Sequence, residues 1–311
     1  MRSMLDDFLN QVHHGDCRQI MDTLPDECID LSVWSPPYYV GKDYEEYLPE
    51  FSDWQNLLSE TIQKHYRIMK PGSFVVINIG DILCFVDENM PKFQTNVRTR
   101  KKIKLTKEEI LEVIEENPNY NRYQLAKYFG ISEQTIQRRL EGVNIRGGKY
   151  QPETKVKQVS GLIEKWAEDA GFYIKDSRIW IKDPAWANSK WVGSTVKAVD
   201  ETEHLFFLWK PGETVYDKKR LTSEEWSNWG DRQTWFIDSV RKNDDHEAKF
   251  PIELPKRAIK LLTDKDAIVL DPFMGSGTTA MAAIELGRNY IGIEIDADSV
   301  ELSRKNTSQQ L

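Results

Sequence analysis

The chain has 311 residues, of which 40 % are hydrophobic and 30 % are charged, and its formal net charge is −8. This composition is ordinary for a globular protein, and it excludes a disordered, collagen-like or coiled-coil chain. The length suggests about two folding units or one large one, and no apolar run approaches the ~20 residues that a membrane-spanning helix needs.

The cysteines and the N-terminus indicate the compartment. Cys17, Cys28 and Cys84 lie far apart without a CxxC pair, which argues against a disulfide framework and against a metal site. Residues 1–8 carry acids and no apolar segment, unlike a signal peptide. We therefore expect a cytoplasmic protein with no metal and no membrane partner.

The first part of the chain has the pattern of an α/β domain. Residues 29–34 form a β-prone run that stops at Ser35-Pro36-Pro37-Tyr38, because two successive prolines cannot continue a strand ladder. Apolar residues over 53–69 recur at helical spacing, and Pro71-Gly72 then breaks the chain. The continuous apolar run 74–79 is typical of a strand buried on both faces of a parallel sheet.

Residues 98–150 differ in charge from the rest of the chain. They carry a net charge of +5, which leaves −13 for the remainder. Helix caps and apolar spacing predict three short helices in this segment, at 106–116, 121–129 and 133–140. The sequence therefore predicts a small helical insert within the α/β domain.

The α/β pattern resumes after the insert. The stretch 213–245 is polar and rich in tryptophan, and it shows no clear period. The other segments predict helices at 159–170, 252–262 and 280–286 and strands at 172–182, 204–209, 267–270 and 290–294.

A glycine-rich loop follows the strand at 267–270. Its spacing, Gly275-x-Gly277-x-x-Ala280, lets the backbone approach a cofactor at a helix N-terminus. Glu294 ends the next strand, where an acid can accept hydrogen bonds from both hydroxyls of a ribose. This pattern indicates an adenosine-containing cofactor without separating NAD from S-adenosylmethionine, and a tight turn without a ligand remains the alternative.

The tetrapeptide at 35–38 could be a proline-ended strand with a solvated turn. Its combination with the loop at 271–279 instead resembles the DNA amino-methyltransferases, which methylate the exocyclic nitrogen of cytosine or adenine. In that family the tetrapeptide is D/N/S-PP-Y/F. The tetrapeptide precedes the loop here, as in the β class of the family, which includes many restriction–modification enzymes.

Three more motifs extend the resemblance. His14-Gly15-Asp16-Cys17 is similar to the element that contacts the adenine of the cofactor, 244–251 to the segment beside its methionine, and 293–296 to the ribose-binding strand end. The resemblance implies S-adenosylmethionine as cofactor. The implied cofactor-binding residues are Asp16, Cys17, His246, Phe250, Asp271, Pro272, Phe273, Gly275, Ser276, Gly277, Thr278, Thr279 and Glu294.

The implied fold is a Rossmann-like, mostly parallel α/β sheet with helices on both faces and the small helical insert. The site is expected at the carboxyl edge of this sheet. The expected segments are a catalytic half at 1–97, the insert at 98–150, a continuation at 151–212, a target-recognition region at 213–245 and a cofactor-binding half at 246–311.

The tetrapeptide suits amine methylation. The expected catalytic residues are Ser35, Pro36, Pro37 and Tyr38. The lone pair of an exocyclic amine is delocalised into the base, so the enzyme must orient it toward the methyl carbon. Ser35 Oγ and the Pro36 carbonyl can accept hydrogen bonds from the amine, and Tyr38 can stack on a base that has left the duplex.

Within the family, S-PP-Y is associated mostly with cytosine N4, which we therefore favour, and D-PP-Y mostly with adenine N6. The expected partners are double-stranded DNA and a cognate restriction endonuclease. Adenine-N6 methylation and a non-catalytic DNA-binding regulator are the alternatives. An NAD-dependent dehydrogenase would leave the tetrapeptide and the insert unexplained.

The insert departs from the family pattern. Residues 130–140 resemble the turn and recognition helix of a helix-turn-helix. Glutamine and arginine side chains on such a helix can reach base edges or phosphates. We therefore expect DNA contacts from Gln134, Gln137, Arg138 and Arg139. A solvated helical insert or a dimerisation arm is the alternative.

Overall fold

The computed structural model describes residues 4–39, 47–91, 105–141, 154–183, 198, 200–240 and 251–309. The strands are β1 (Gln11–His14), β2 (Ile29–Trp34), β3 (Met69–Ile79), β4 (Ile82–Val86), β5 (Thr154–Lys157), β6 (Tyr173–Ile181), β7 (Thr202–Trp209), β8 (Thr234–Phe236), β9 (Ile268–Asp271) and β10 (Asn289–Glu294). The helices are α1 (Cys17–Thr23), α2 (Phe51–Ile68), α3 (Lys107–Glu116), α4 (Arg122–Tyr128), α5 (Glu133–Glu141), α6 (Ser160–Ala170), α7 (Ser223–Glu225), α8 (Glu253–Leu262), α9 (Thr278–Glu285) and α10 (Ala297–Ser308).

An eight-stranded sheet organises the larger of two compact units. Its strand order is β1-β10-β9-β2-β3-β7-β6-β8, and β4 pairs with β5 in a separate two-stranded sheet. Neighbours from β1 to β3 are parallel, whereas β7 runs antiparallel to both β3 and β6. The predicted mostly parallel α/β sheet is confirmed.

The sheet is apolar on both faces because alternate residues of each strand point to opposite sides. On β3, Val75 and Ile77 join one buried cluster and Val76 joins the other. Helices α1, α2 and α6 contribute to the first cluster, and α8, α9 and α10 contribute to the second. The prediction of helices on both faces of the sheet is therefore confirmed. The prediction that the apolar run 74–79 forms a strand buried on both faces is also confirmed.

The predicted chain break at Pro71-Gly72 is wrong. Strand β3 begins at Met69 and continues through both residues, although its pairing with β2 shifts register there. The Gly72 backbone N–H donates to Lys210 O at 2.9 Å, and its φ of +83° suits glycine. An added Cβ would lie 1.9 Å from the carbonyl oxygen of Glu213. The hydrogen bond to Lys210, the residue that follows β7, therefore keeps the strand continuous where the local sequence predicts a turn.

The second compact unit comprises residues 86–155 and 191–197, a wider span than the insert expected at 98–150. The three predicted helices are present as α3, α4 and α5. Thr106 and Asn121 cap the first two through reciprocal capping boxes. A small separate core holds the helices together, with Ile110, Val113, Leu125, Ala126 and Ile136 buried.

The tryptophans of the polar stretch after β7 are largely structural. Trp229 and Trp235 are buried in the core, with ring centroids 5.9 Å apart. The guanidinium of Arg178 lies 5.3 Å from the centroid of the Trp235 ring, and that of Arg257 lies 5.5 Å from Trp229. These two indoles are therefore fixed by packing and by cation–π contacts.

None of the helices in the described segments is both long enough and apolar enough to cross a membrane. The described residues also contain no group of three His, Cys, Asp or Glu side chains arranged to hold a metal ion.

Candidate active site

A cavity of about 310 Å³ lies at the carboxyl ends of the central parallel strands. This volume falls in the range of roughly 300–1,000 Å³ that is usual for small-molecule sites. The cavity brings together residues from motifs at both ends of the sequence. The predicted site residues that line it are Asp16, Cys17, Ser35, Pro36, Pro37, Tyr38, Pro272, Phe273, Gly275, Ser276, Thr278 and Glu294.

The proline tetrapeptide lies directly after β2. Its Pro37 carbonyl accepts a hydrogen bond of 2.6 Å from the buried indole N–H of Trp54 on α2. Ser35 Oγ donates to the hydroxyl of Tyr38 at 2.9 Å. The loop is thus held to the adjacent helix while its polar groups reach the cavity.

The glycine loop and Glu294 form the other side of the cavity. Glu294 Oε2 accepts the Gly275 backbone N–H at 2.7 Å, and Oε1 accepts the backbone N–H groups of Ile295 and Asp296, each at 2.9 Å. These three bonds fix the carboxylate at the edge of the cavity. A carboxylate has about four lone-pair sites, so Glu294 retains capacity to accept from a ligand.

Asp16 caps the first turn of α1 and lines the same side of the cavity. Its carboxylate accepts from the backbone N–H of Arg18 and from the Arg18 guanidinium, with the shortest contact at 2.6 Å. The hydrogen bonds from Arg18 lower the pKa of Asp16 despite its partial burial. Asp16 is therefore a fixed, negatively charged acceptor in the wall of the cavity.

Three of the predicted cofactor-binding residues support the loop without lining the cavity: Asp271, Gly277 and Thr279. Asp271 is only 1 % exposed and accepts the Phe273 backbone N–H at 2.9 Å. Burial raises the pKa of Asp271 to about 7. Gly277 has a φ of +89°, and a Cβ there would lie 3.1 Å from Ser303 Cβ. These residues therefore stabilise the conformation of the glycine loop and do not line the cavity.

The remaining predicted residues lie elsewhere. His246 and Phe250 fall outside the described residues, as does the side chain of Gln134. Gln137, Arg138 and Arg139 belong to α5 of the second unit, where both arginines are exposed. They stay predictions of DNA contact.

Sequence reasoning missed several lining residues, among them the polar residues Asn78 and Glu203 and the aromatic residue Trp180. Asn78 interrupts the apolar run of β3, and that interruption was a usable signal. Glu203 is the second residue of β7, which runs antiparallel to β3, so the start of β7 lies at the same edge as the carboxyl end of β3. No local pattern reveals this placement.

Glu203 is paired with a lysine. Lys182 Nζ lies 2.7 Å from Glu203 Oε1 and 3.0 Å from Asp200 Oδ2. Burial of Lys182 opposes its charge, but the two carboxylates outweigh burial and raise the pKa of the lysine. Glu203, which lines the cavity, is therefore one partner of an ion pair.

Comparisons with known proteins identify the family of this chain. The N6/N4 DNA methylase family model matches residues 29–305. The type II methyltransferase M.BglI of Bacillus subtilis is 55 % identical over 297 residues, which cover 96 % of this chain and 85 % of that protein.

Two solved structures share the fold. TTHA0409 of Thermus thermophilus, a DNA modification methylase complexed with S-adenosyl-L-methionine, has a TM-score of 0.62 at 21 % identity and covers 96 % of this chain and 93 % of its own. The cytosine-N4-specific PvuII DNA methyltransferase has a TM-score of 0.60 at 15 % identity, with coverages of 96 % and 90 %.

The match to the family model spans most of the chain, and the identity to M.BglI extends over nearly all of it. The chain therefore belongs to the N6/N4 family of DNA methylases, the amino-methyltransferases of restriction–modification systems.

Proposed function

We propose that this DNA methyltransferase transfers a methyl group from S-adenosylmethionine to the N4 amine of a cytosine flipped out of double-stranded DNA. One observation carries the proposal: the Ser35–Tyr38 tetrapeptide and the Glu294 carboxylate line the same cavity. An amine and a methyl donor bound there would be within reach of each other.

The residues on the cofactor side fit an adenosine. Glu294 presents a fixed carboxylate for the two ribose hydroxyls, and Asp16 presents another acceptor for the adenine amine. Gly275 lets the backbone approach the ligand, and Thr278 begins α9 beside it. When bound, S-adenosylmethionine supplies a methyl group activated by its positively charged sulfur.

The tetrapeptide would orient the amine. Ser35 Oγ and the Pro36 carbonyl accept its two hydrogens, which turns the nitrogen lone pair toward the methyl carbon. A nitrogen–carbon bond forms as the carbon–sulfur bond breaks, and the nitrogen then loses one proton to water. Positioning of this kind makes the step effectively unimolecular.

Two features of the chain support cytosine and DNA contact. The tetrapeptide begins with Ser35, the residue type associated with N4 methylation in the family. The second unit exposes Arg138 and Arg139 on α5, which favours phosphate contact by the insert. A restriction endonuclease of the same specificity is the proposed biological partner.

Replacing Ser35 with alanine removes one acceptor of the amine. The S35A variant should transfer methyl groups about tenfold or more slowly, because a transition-state hydrogen bond is worth ~1–3 kcal/mol. Single-turnover transfer of labelled methyl to DNA measures the rate, and calorimetry should show an unchanged affinity for S-adenosylmethionine. S35A transfer at the wild-type rate would defeat the role assigned to Ser35.

Replacing Glu294 with glutamine should weaken S-adenosylmethionine binding by about tenfold or more, because two hydroxyls lose a charged acceptor. Calorimetry on the free protein measures the affinity. D298N is the matched control, since Asp298 is an exposed acid in the first turn of α10 that does not line the cavity. Tight binding of NAD without any binding of S-adenosylmethionine would contradict the proposed cofactor.

Neutralising Arg138 and Arg139 together, as R138Q/R139Q, should reduce the slope of log affinity against log salt by about two units if both contact phosphates. DNA binding is measured over a salt series by fluorescence anisotropy. Neutralising the exposed Lys165 and Lys305, on α6 and α10, is the control. An unchanged slope in the arginine variant means that Arg138 and Arg139 do not contact DNA phosphates.

A further inference from the structure

The buried carboxylate of Glu203 is linked to Ser35 of the tetrapeptide through the hydroxyl group of Tyr38. Glu203 is only 8 % exposed, and its Oε2 accepts the hydroxyl of Tyr38 at 2.6 Å. The same Tyr38 hydroxyl accepts the Ser35 hydroxyl at 2.9 Å. A continuous chain of hydrogen bonds therefore joins Ser35 to Glu203.

The carboxylate fixes the direction of this chain. A carboxylate can only accept hydrogen bonds, so the single proton of the Tyr38 hydroxyl must point toward Glu203. The Tyr38 oxygen is then an acceptor, and it takes the proton of Ser35. With its proton turned away, Ser35 Oγ has only a long contact of 3.5 Å from the Asn78 amide and keeps a lone pair for the cavity, as an acceptor for an amine requires.

Neighbouring groups donate to both oxygens of Glu203. Lys182 Nζ contacts its Oε1 at 2.7 Å, and the amide nitrogen of Asn78 donates to Oε2 at 2.7 Å. The same amide nitrogen lies 2.8 Å from the Tyr38 hydroxyl oxygen. Every close contact of the two Glu203 oxygens that the described residues provide is thus a donor.

We propose that Glu203 is a positioning residue for methyl transfer: through Tyr38, its charge keeps Ser35 Oγ an acceptor for the target amine. The inference rests on the role proposed above for Ser35. This role accounts for the ion pair of Glu203 with Lys182 at the cavity, where burying charge is costly.

Glutamine at position 203 provides a test that changes charge and hardly changes shape. Lys182 can only donate, so it selects the amide oxygen of Gln, and the amide nitrogen then faces the Tyr38 hydroxyl and the Asn78 amide in place of Oε2. The Tyr38 hydroxyl can no longer donate to position 203, and its nearest remaining acceptor is Ser35 Oγ at 2.9 Å, compared with 3.4 Å for the Asn78 carbonyl. The chain then reverses: one lone pair of Ser35 Oγ accepts from Tyr38, and the Ser35 proton turns toward the cavity.

The experiment is a double-mutant cycle of E203Q and Y38F, measured as single-turnover methyl transfer to DNA. Y38F removes only the linking hydroxyl, and phenylalanine also occurs at this position of the family tetrapeptide. The control is E27Q, because Glu27 pairs with the buried Lys210 at the far end of β7 and lies outside the cavity. Affinity for S-adenosylmethionine and melting temperature are measured for each variant.

Each single variant should lose about tenfold or more in rate while retaining its affinity for S-adenosylmethionine. The double variant should be no slower than the slower single variant, because both changes break the same chain. E27Q should transfer at the wild-type rate. A structural role alone for Glu203 predicts a lower melting temperature with an unchanged rate of the folded enzyme, and that result overturns the proposal.

Two other outcomes also overturn it. A Y38F rate equal to wild type shows that the hydroxyl link is dispensable, and this measurement stands even if E203Q fails to fold. If E203Q lowers the methyl-transfer rate of the Y38F variant by the same factor as it lowers the wild-type rate, Glu203 acts by another route. S35A separates the two proposals: an S35A enzyme at full rate removes the proposed role of Ser35 itself, whereas a slow S35A beside a fast E203Q removes only the role of Glu203.

Discussion

The parallel pairing of β2 with β9 is the constraint on which the site depends. Ser32 lies opposite Leu270 in this pair, and its hydroxyl donates to the Leu270 carbonyl at 3.0 Å. Because both strands run the same way, the loops that follow them leave the sheet at the same edge. The tetrapeptide at 35–38 and the glycine loop at 271–277, distant in sequence, therefore become the two walls of one cavity.

The change of strand direction completes the cavity. Strand β7 runs antiparallel to β3 and β6, so its first residues return to the edge where the parallel strands end. This places Glu203 beside Asn78 and Lys182, and within reach of Tyr38. The parallel strands thus supply the two loops that line the cavity, and the antiparallel strand supplies Glu203.

Much of the fold followed from local patterns, because apolar runs, helix caps and glycine loops act within a few residues. The positions of Gly275 and Glu294 were predicted for the same reason, whereas the role of Ser35 was predicted from the family resemblance. Placement across the sheet was not predictable locally: pairing with β7 carried β3 through Pro71-Gly72, and the role of Glu203 depends on the antiparallel register. Burial also decided that Asp271 supports the glycine loop from below.

The identity of the methylated nucleoside tests the account most directly. The wild-type protein is incubated with isotopically labelled S-adenosylmethionine and genomic DNA, the DNA is digested to nucleosides, and the labelled product is identified by mass spectrometry. The account predicts labelled N4-methylcytosine. Labelled N6-methyladenine would contradict the assignment of the base, and the absence of any labelled nucleoside would contradict methyl transfer by this cavity.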